Sequence, residues 1–339
     1  MRIIDLDVHD DAAFDAWHHV YAEAERHGRE QLATVWQLEE LRVLMQEPTS
    51  RHRDQGWSGV VDGEVVAVGW LRTPLLDNLE RAELSVHVLA QHRRRGHGSA
   101  MLAHLERVAG ERGRTVLTGE ATYAYEAGPD GTGQDGPEFA RARGYDLALG
   151  DVQRALRLPV ADALLDRLAA EAAPHHASYT LRSWVGPVPE ELLQGWADLT
   201  SLLMTEAPTG ELDLEPEAAS TRAVRENEAV IAKQGRRLFC TVALAADGAV
   251  VAYSNLAVTE HEPDRAYQWG TLVRRDHRGH RLGVAVKVAN LRLLQAERPP
   301  ALTTLITYNA EVNAAMIGVN DRLGFAPVAR LGEFQKRVG

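Results

Sequence analysis

Apolar residues recur along the chain in two rhythms. Met101, Leu102, Leu105 and Val108 fall at i, i+1, i+4 and i+7, and Leu282, Val286, Ala289 and Leu293 keep a helical spacing too, so each set predicts one buried helix face. Before each lies a segment of alternating character, Ala82 to Leu89 and Ala266 to Val273, that reads as a strand. Upstream, a starting strand (Arg2 to Leu6; Thr180 to Val185) leads to a helix (about Ala12 to Arg26; Pro189 to Met204) and a second helical stretch. Downstream come a further strand (Thr115 to Leu117; Thr303 to Thr307) and an element ending in Gly144-Tyr145 or Gly324-Phe325.

The pattern is written twice. Val61-Asp62-Gly63-Glu64-Val65-Val66-Ala67 matches Ala246-Asp247-Gly248-Ala249-Val250-Val251-Ala252 at five positions of seven, at an offset of 185. Each Asp-Gly sits between apolar runs, the short-range mark of a β-hairpin. At the same offset Val88, His92, Arg93 and Gly98 recur as Val273, His277, Arg278 and Gly283, which argues for duplication. The expected layout is therefore a first domain over 1–158, a linker over 159–177 and a second domain over 178–339. Within the first domain, Glu126 to Glu138 is rich in Gly, Pro and Asp and predicts a mobile surface loop.

Chemistry concentrates where the strand gives way to the helix. Arg93-Arg94-Arg95-Gly96-His97-Gly98-Ser99 opens a helix, whose first N–H groups lack helical partners beside the positive end of the dipole. Glycines at 96 and 98 clear the Cβ atoms that would hold a phosphate away, and the arginines add charge. These features predict an anion site.

The spacing Arg93-x-x-Gly96-x-Gly98 after Val88 resembles the acyl-coenzyme A pyrophosphate loop of the GNAT superfamily of N-acetyltransferases, and the element order resembles that fold. The second half resembles it through Val273, Arg278-Gly279-His280-Arg281-Leu282-Gly283, Asn313-x-x-Met316 and Gly324-Phe325. Nearly the whole chain is covered, as in the broad group of tandem GNAT proteins that includes mycothiol synthase and its relatives. The resemblance implies an α/β fold of two GNAT-like domains, each a mixed, mostly antiparallel sheet flanked by helices. Two adjacent parallel strands would splay to admit the pantetheine of acetyl-CoA, and a main-chain N–H near Val88 would polarise the thioester carbonyl. By the same resemblance Val86, Val88 and the run Arg93 to Ser99 form the cofactor site. Val273, Arg278 to Gly283 and Asn313 form a second one.

The departures from the family pattern are specific. Arg281 replaces the first loop glycine of the second half, and Asn320 stands where the family often has a tyrosine that protonates the leaving thiolate. The first half has Ala140 at that tyrosine position and no match to Asn313. Tyr123 and Tyr125, after the strand that flanks the cofactor, are the alternative acids. An amine must lose a proton before it attacks a thioester, and Glu83, on the strand leading into the intact loop, is the candidate base. The aligned position in the second half is Gln268, which takes no proton. Glu83 sits five residues before Val88, whereas the family's carboxylate usually sits four or six before, so a bulge is needed to turn it toward the site.

Composition narrows the function classes. Apolar residues at 45% and charged residues at 25% suit a folded globular protein, and one cysteine, Cys240, excludes an internal disulfide or a multi-thiolate zinc site. No run long and apolar enough for a membrane span or signal peptide is present, which with the lone cysteine predicts a cytoplasmic protein. The fourteen histidines are scattered without ligand spacing, so no metal is expected. The net charge of −11 argues against nucleic acid and for a small cationic amine, drawn by Glu206, Glu211 and Asp213. The expected activity is transfer of acetyl to that amine by direct attack. The alternatives are an inactive acyl-CoA sensor or scaffold and, less favoured, an aminoacyl-tRNA-dependent transferase. Oligomeric state leaves no mark in the sequence.

Overall fold

The computed structural model describes residues 1–338, which divide into two compact units. Unit 1 holds Met1–Tyr123, Asp130–Ala148 and the segment from Leu331 onward. Its elements are β1 (Arg2–Asp5), α1 (Asp11–Arg26), α2 (Leu38–Gln46), β2 (His52–Val61), β3 (Glu64–Pro74), β4 (Arg81–Val88), α3 (His97–Glu111), β5 (Val116–Ala124) and α4 (Asp135–Arg141). Strands β1 to β4 pair antiparallel in sequence order, and β4 then pairs parallel with β5. Asp10 caps α1 by accepting the main-chain N–H groups of Ala12 and Ala13. The β2–β3 turn is the expected hairpin, with Asp62 at φ 50° and Gly63 at φ 87°.

Apolar residues cover both faces of this sheet. On one face Phe14 and Trp17 of α1 and Leu41 of α2 pack with Val68 of β3, while on the other Met101 and Leu105 of α3 pack with Leu71, Leu84 and Leu117 of the strands. Alternation along β4 thus puts Leu84 on the α3 side, and Glu83, Ser85 and His87 on the α1 side.

Unit 2 holds Ala124–Pro129 and Leu149–Arg330. Strand β6 (Asp146–Arg157) is followed by α5 (Asp162–Ala172), β7 (Thr180–Val185), α6 (Leu193–Thr200), α7 (Leu203–Glu206) and α8 (Thr221–Lys233). Then come β8 (Arg236–Leu244), β9 (Val250–Thr259), β10 (Arg265–Val273), α9 (Leu282–Ala296), β11 (Thr304–Ala310), α10 (Ala314–Leu323) and β12 (Ala326–Arg337). The order across this unit is β6-β11-β10-β9-β8-β7, with β10 and β11 parallel and the other pairs antiparallel.

Three expectations change. The segment expected to link the domains, 159–177, contains α5, which buries Leu165, Leu168 and Ala172 against α9 residues Val284, Val288 and Leu291 in one core. The boundary expected at 158 instead falls inside β6, and β12 begins in unit 2 and ends in unit 1. There Phe334 is buried with Leu71 and Leu105, Lys336 Nζ lies 2.9 Å from Glu106, and the Val338 N–H donates to the Thr115 carbonyl. The 126–138 segment is also more structured than a plain loop. It opens α4 at Asp135, and Gly131 lies buried against Tyr123 and Pro137.

The split between parallel strands is present in each unit. Strand β4 pairs with β5 only from Arg81 to Glu83, against Val116 to Thr118, although both strands run on. Likewise β10 pairs with β11 only from Arg265 to Gln268, against Thr304 to Thr307. Beyond those points the facing edges carry unpaired main-chain groups, which demand a partner.

Candidate functional site

In unit 1 the split leads into the loop that opens α3. Gly96 precedes the helix at φ 86°, a left-handed conformation that a side chain adopts only with strain, and no atom lies within 4 Å of a Cβ built there. Gly98 is required for a different reason. A Cβ at 98 would meet the Phe139 ring at 3.1 Å and the Val88 side chain at 3.5 Å. No side chain caps α3, so its first N–H groups face outward with the positive end of the helix.

Arg93 holds the loop in place. Its Nε donates to the Val88 carbonyl at 3.2 Å, its Nη2 donates to the Ala24 carbonyl, and Asp135 pairs with its Nη1 at 3.7 Å. Arg94 and Arg95 are exposed and, among the described residues, make no hydrogen bond or ion pair. His92 and His97 face each other with ring centroids 6.4 Å apart, and the Ser99 hydroxyl accepts from Arg143. Desolvation, then the N-terminal amine, His92 and Arg95, depress the His97 pKa below the usual imidazole range, as a locally cationic surface should.

Glu83 is the last β4 residue paired with β5 and is exposed. Pairing of β3 with β4 runs without interruption from Ala67–Val88 to Arg72–Glu83, so no bulge reorients it. Two residues further along the same face stand Ser85 and then His87, which is inside the site and was not singled out from sequence. Ser85 Oγ and His87 Nε2 lie 2.6 Å apart, and His87 Nδ1 lies 3.4 Å from Glu25 Oε1 on α1. A Ser-x-His on an alternating strand was a readable signal, but the carboxylate from α1 was not.

Tyr123 is buried against Gly131. Tyr125 belongs to unit 2, where the Arg330 guanidinium stacks 4.6 Å from its ring centre.

Unit 2 repeats the junction with different occupants. Arg278 Nε donates to the Val273 carbonyl at 3.2 Å and its Nη2 to the Glu206 carbonyl at 3.3 Å, the same brace as at Arg93. Here the Glu206 carboxylate also takes Arg278 at 2.7 Å and Arg275 at 3.6 Å. Glu206 is thus committed to the loop, while Glu211 and Asp213 lie exposed nearby in sequence. Arg281 adopts φ 53° at the place of Gly96, its Nη1 donating to the Glu171 carbonyl, and His280 Nδ1 lies 3.2 Å from the His175 carbonyl. Gly279 takes φ 88°, Leu282 is buried, and Gly283 lies open enough that a Cβ would meet only Val273 at 3.7 Å. Asn313 spends its side chain capping α10, accepting from the Met316 N–H at 3.1 Å.

A bulge alters the alignment of the two halves. The β9–β10 register skips Trp269, so Leu256 pairs with Gln268 as Leu71 pairs with Leu84, and Ala257 pairs with Tyr267 as Arg72 pairs with Glu83. The structural counterpart of Glu83 is therefore Tyr267, not Gln268.

Two titratable groups of unit 2, the partly buried Asp151 and the fully buried Lys287, have no opposite charge to hold them among the described residues. Burial pushes the Asp151 carboxyl up to about 6, with Oδ1 unpartnered. Burial also pushes the Lys287 ammonium down to about 7, its Nζ lying 5.3 Å from the Phe325 ring centre. Among the described residues no cluster of three or more His, Cys, Asp or Glu could hold a metal, and no helix is long and apolar enough to cross a membrane.

Residues 14–124 match the acetyltransferase (GNAT) family. The whole chain superposes on a tandem GNAT protein from the clavulanic acid biosynthesis pathway, with a TM-score of 0.80 and 29% identity over 98% of that chain. A GCN5-related N-acetyltransferase from Sphaerobacter thermophilus shares the fold at a TM-score of 0.65 and 14% identity, covering 96% of this chain and 94% of that one. A GCN5-related glucosamine N-acetyltransferase region of a fungal multi-domain β-N-acetylglucosaminidase does so at 0.64 and 14%, covering 98% of this chain and 38% of that one. No curated protein matches the sequence.

Proposed function

As the chain is a tandem GNAT protein, for which acyl transfer is the family chemistry, we propose that it moves acetyl from acetyl-coenzyme A to the amine of a small molecule, with the donor held in unit 1. The observation that carries this reading is the junction after β4. An uncapped helix start, a left-handed Gly96, a close-packed Gly98 and two unpaired arginines converge where the β4–β5 split ends. The residues fit the cosubstrate. N–H groups at the start of α3, with Arg94 and Arg95, would take the pyrophosphate, and Val86 and Val88 would flank the pantetheine along the open edge of β4. That edge supplies main-chain N–H groups to the thioester carbonyl as it becomes an oxyanion. Glu83 and His87 are the two proton acceptors on the α1 face of the same strand.

The net charge of −11 favours a cationic amine as acceptor, by attraction screened over about 10 Å at 0.1 M salt. Calorimetric titration with coenzyme A should give saturable binding, and free thiol should appear from acetyl-CoA with small cationic amines. The advantage of cationic over anionic amines in kcat/KM should shrink as salt rises. Absence of coenzyme A binding would remove the proposal, and a preference for anionic amines would remove its account of the acceptor.

A further inference from the structure

We infer that Ser85 and His87 of unit 1 form one proton relay that serves both halves of a direct attack, taking the proton that the amine sheds and handing it to the departing thiolate. The acyl donor rests on the reading above; the relay rests on how β4 places two side chains. Ser85 and His87 are alternate residues of β4, so both project to the α1 face, and both follow Glu83, the last residue of β4 to pair with β5. Ser85 Oγ and His87 Nε2 lie 2.6 Å apart, a hydrogen bond in which the hydroxyl donates when the nitrogen is bare and accepts when it is protonated. Ser85 is only half-buried and can meet a substrate, whereas the His87 side chain is 11% exposed and is reached through the hydroxyl.

The surroundings set the strength of the imidazole. From α1 the Tyr21 ring meets it edge-on at 4.9 Å, and Glu25 Oε1 stands 3.4 Å from Nδ1 without a hydrogen bond, while Arg29 holds Glu25 Oε2 at 2.7 Å. Burial, the main cause, lowers the His87 pKa; Glu25 opposes it, and Arg29 and Arg93 add to it. The imidazole is therefore neutral at neutral pH and, once it has taken a proton, a stronger acid than a solvated imidazolium. A departing thiolate needs such an acid, and the nearby tyrosines are engaged elsewhere. Tyr21 accepts from the Trp36 N–H at 3.1 Å, Tyr123 is buried against Gly131, and Tyr125 belongs to unit 2.

The steps balance without a bond to the protein. The amine nitrogen bonds to the thioester carbon and, as it turns cationic, passes a proton to Ser85 Oγ while the Ser85 proton moves to His87 Nε2. Beyond Glu83 the β5-facing edge of β4 has no strand partner, so its N–H groups are available to the oxyanion formed at this stage. The C–S bond then breaks, and the same route in reverse carries the proton from Nε2 through Oγ to the sulfur. Amide, thiol and neutral imidazole remain.

The test uses the full-length protein at saturating acetyl-CoA with hydroxylamine, a small nucleophile that needs no tailored pocket, and reads acetohydroxamate and free thiol. Acetyl-CoA affinity by calorimetry should stay within about threefold in Ser85→Ala, Ser85→Thr and His87→Gln. Over the same set kcat should fall about 10²-fold or more in Ser85→Ala and His87→Gln and be largely kept in Ser85→Thr, which retains the hydroxyl. In the wild type kcat should drop as pH falls through a value below the usual imidazole range, and that limb should be missing in His87→Gln. With S-(4-nitrophenyl) thioacetate, whose thiolate leaves without a proton, the His87→Gln loss should shrink; an equal loss with both donors would overturn the double role. Unchanged turnover in Ser85→Ala and His87→Gln, or acetyl-CoA binding without any transfer to hydroxylamine, would overturn the relay and leave the donor reading standing. Failure to bind acetyl-CoA would remove the donor reading itself, and the relay with it.

Discussion

In unit 1 the loop between β4 and α3 leaves Arg94 and Arg95 unpaired beside an uncapped helix start, whereas in unit 2 the loop between β10 and α9 has its arginines taken up. Arg278 and Arg275 hold Glu206, and Arg281 reaches the end of α5. What the two share is the brace from the arginine Nε to the strand-end carbonyl and from Nη2 to the carbonyl at the end of a helix. The arginine at the head of this motif is thus part of the architecture, present whether or not the loop is open. The glycine at the helix start and the unpaired charge distinguish an open loop from a filled one. The same contrast runs through the helices, for Leu102 is buried in α3 where Lys287 is buried in α9, at the offset of 185.

The largest expected effect restores that apolar position. Lys287 takes a proton near 10.5 when unfolded but near 7 when folded, so protonation favours the unfolded chain as pH falls from 10.5, and the penalty is complete at and below about pH 7. Lys287→Met should stabilise unit 2 at pH 7 by roughly 3–5 kcal/mol, from about 1.4 kcal/mol per pKa unit, and the gain should fade toward pH 10. Chemical denaturation at both pH values measures it. A gain independent of pH would mean that packing, not charge, is at fault at Lys287.

Next in size is the loop itself. Gly96→Trp forces a side chain into a left-handed position at the helix start and should weaken coenzyme A binding by about 100-fold or more, while Gly283→Trp in unit 2 should leave it within about threefold. Equal losses would break the distinction between the units. A smaller effect should follow Glu206→Ala, which gives unit 2 the residue type that Ala24 supplies to the brace in unit 1. Freed from the carboxylate, Arg275 and Arg278 should raise the affinity of unit 2 for coenzyme A by about tenfold, seen as a second binding event in calorimetry. Its absence would show that Arg281 alone closes the loop. The smallest change is expected at Glu83, which is exposed and unassisted by a bulge. Glu83→Gln should keep kcat/KM within about threefold, and a loss near 10²-fold would return the base to Glu83 in place of His87.

The duplication, both hairpins and the loop were legible because each is local: Asp-Gly fixes a turn, and glycine spacing marks a strand-to-helix junction. The bulge at Trp269 was not, since a single inserted residue shifts pairing without leaving a mark in composition. It misaligned Glu83 with Gln268. Glu25 escaped notice because α1 brings it to His87 across 62 residues of chain, and no periodicity within either segment records that contact. The commitment of Glu206 and Asn313 escaped for the opposite reason. Acidic and amide side chains serve ligands and main-chain ends equally well, and only the partner decides.

Residues 331–338, made after every other strand, belong to unit 1. On a ribosome the first unit therefore waits, with Leu71, Leu105 and Tyr145 short of the Phe334 and Lys336 that cover them, until the whole of unit 2 has emerged. Division of the gene at residue 158 would yield two fragments that each lack a strand. Evolution of this duplicated chain is constrained accordingly, because neither half can be lost or shuffled as a cassette while the other keeps its core.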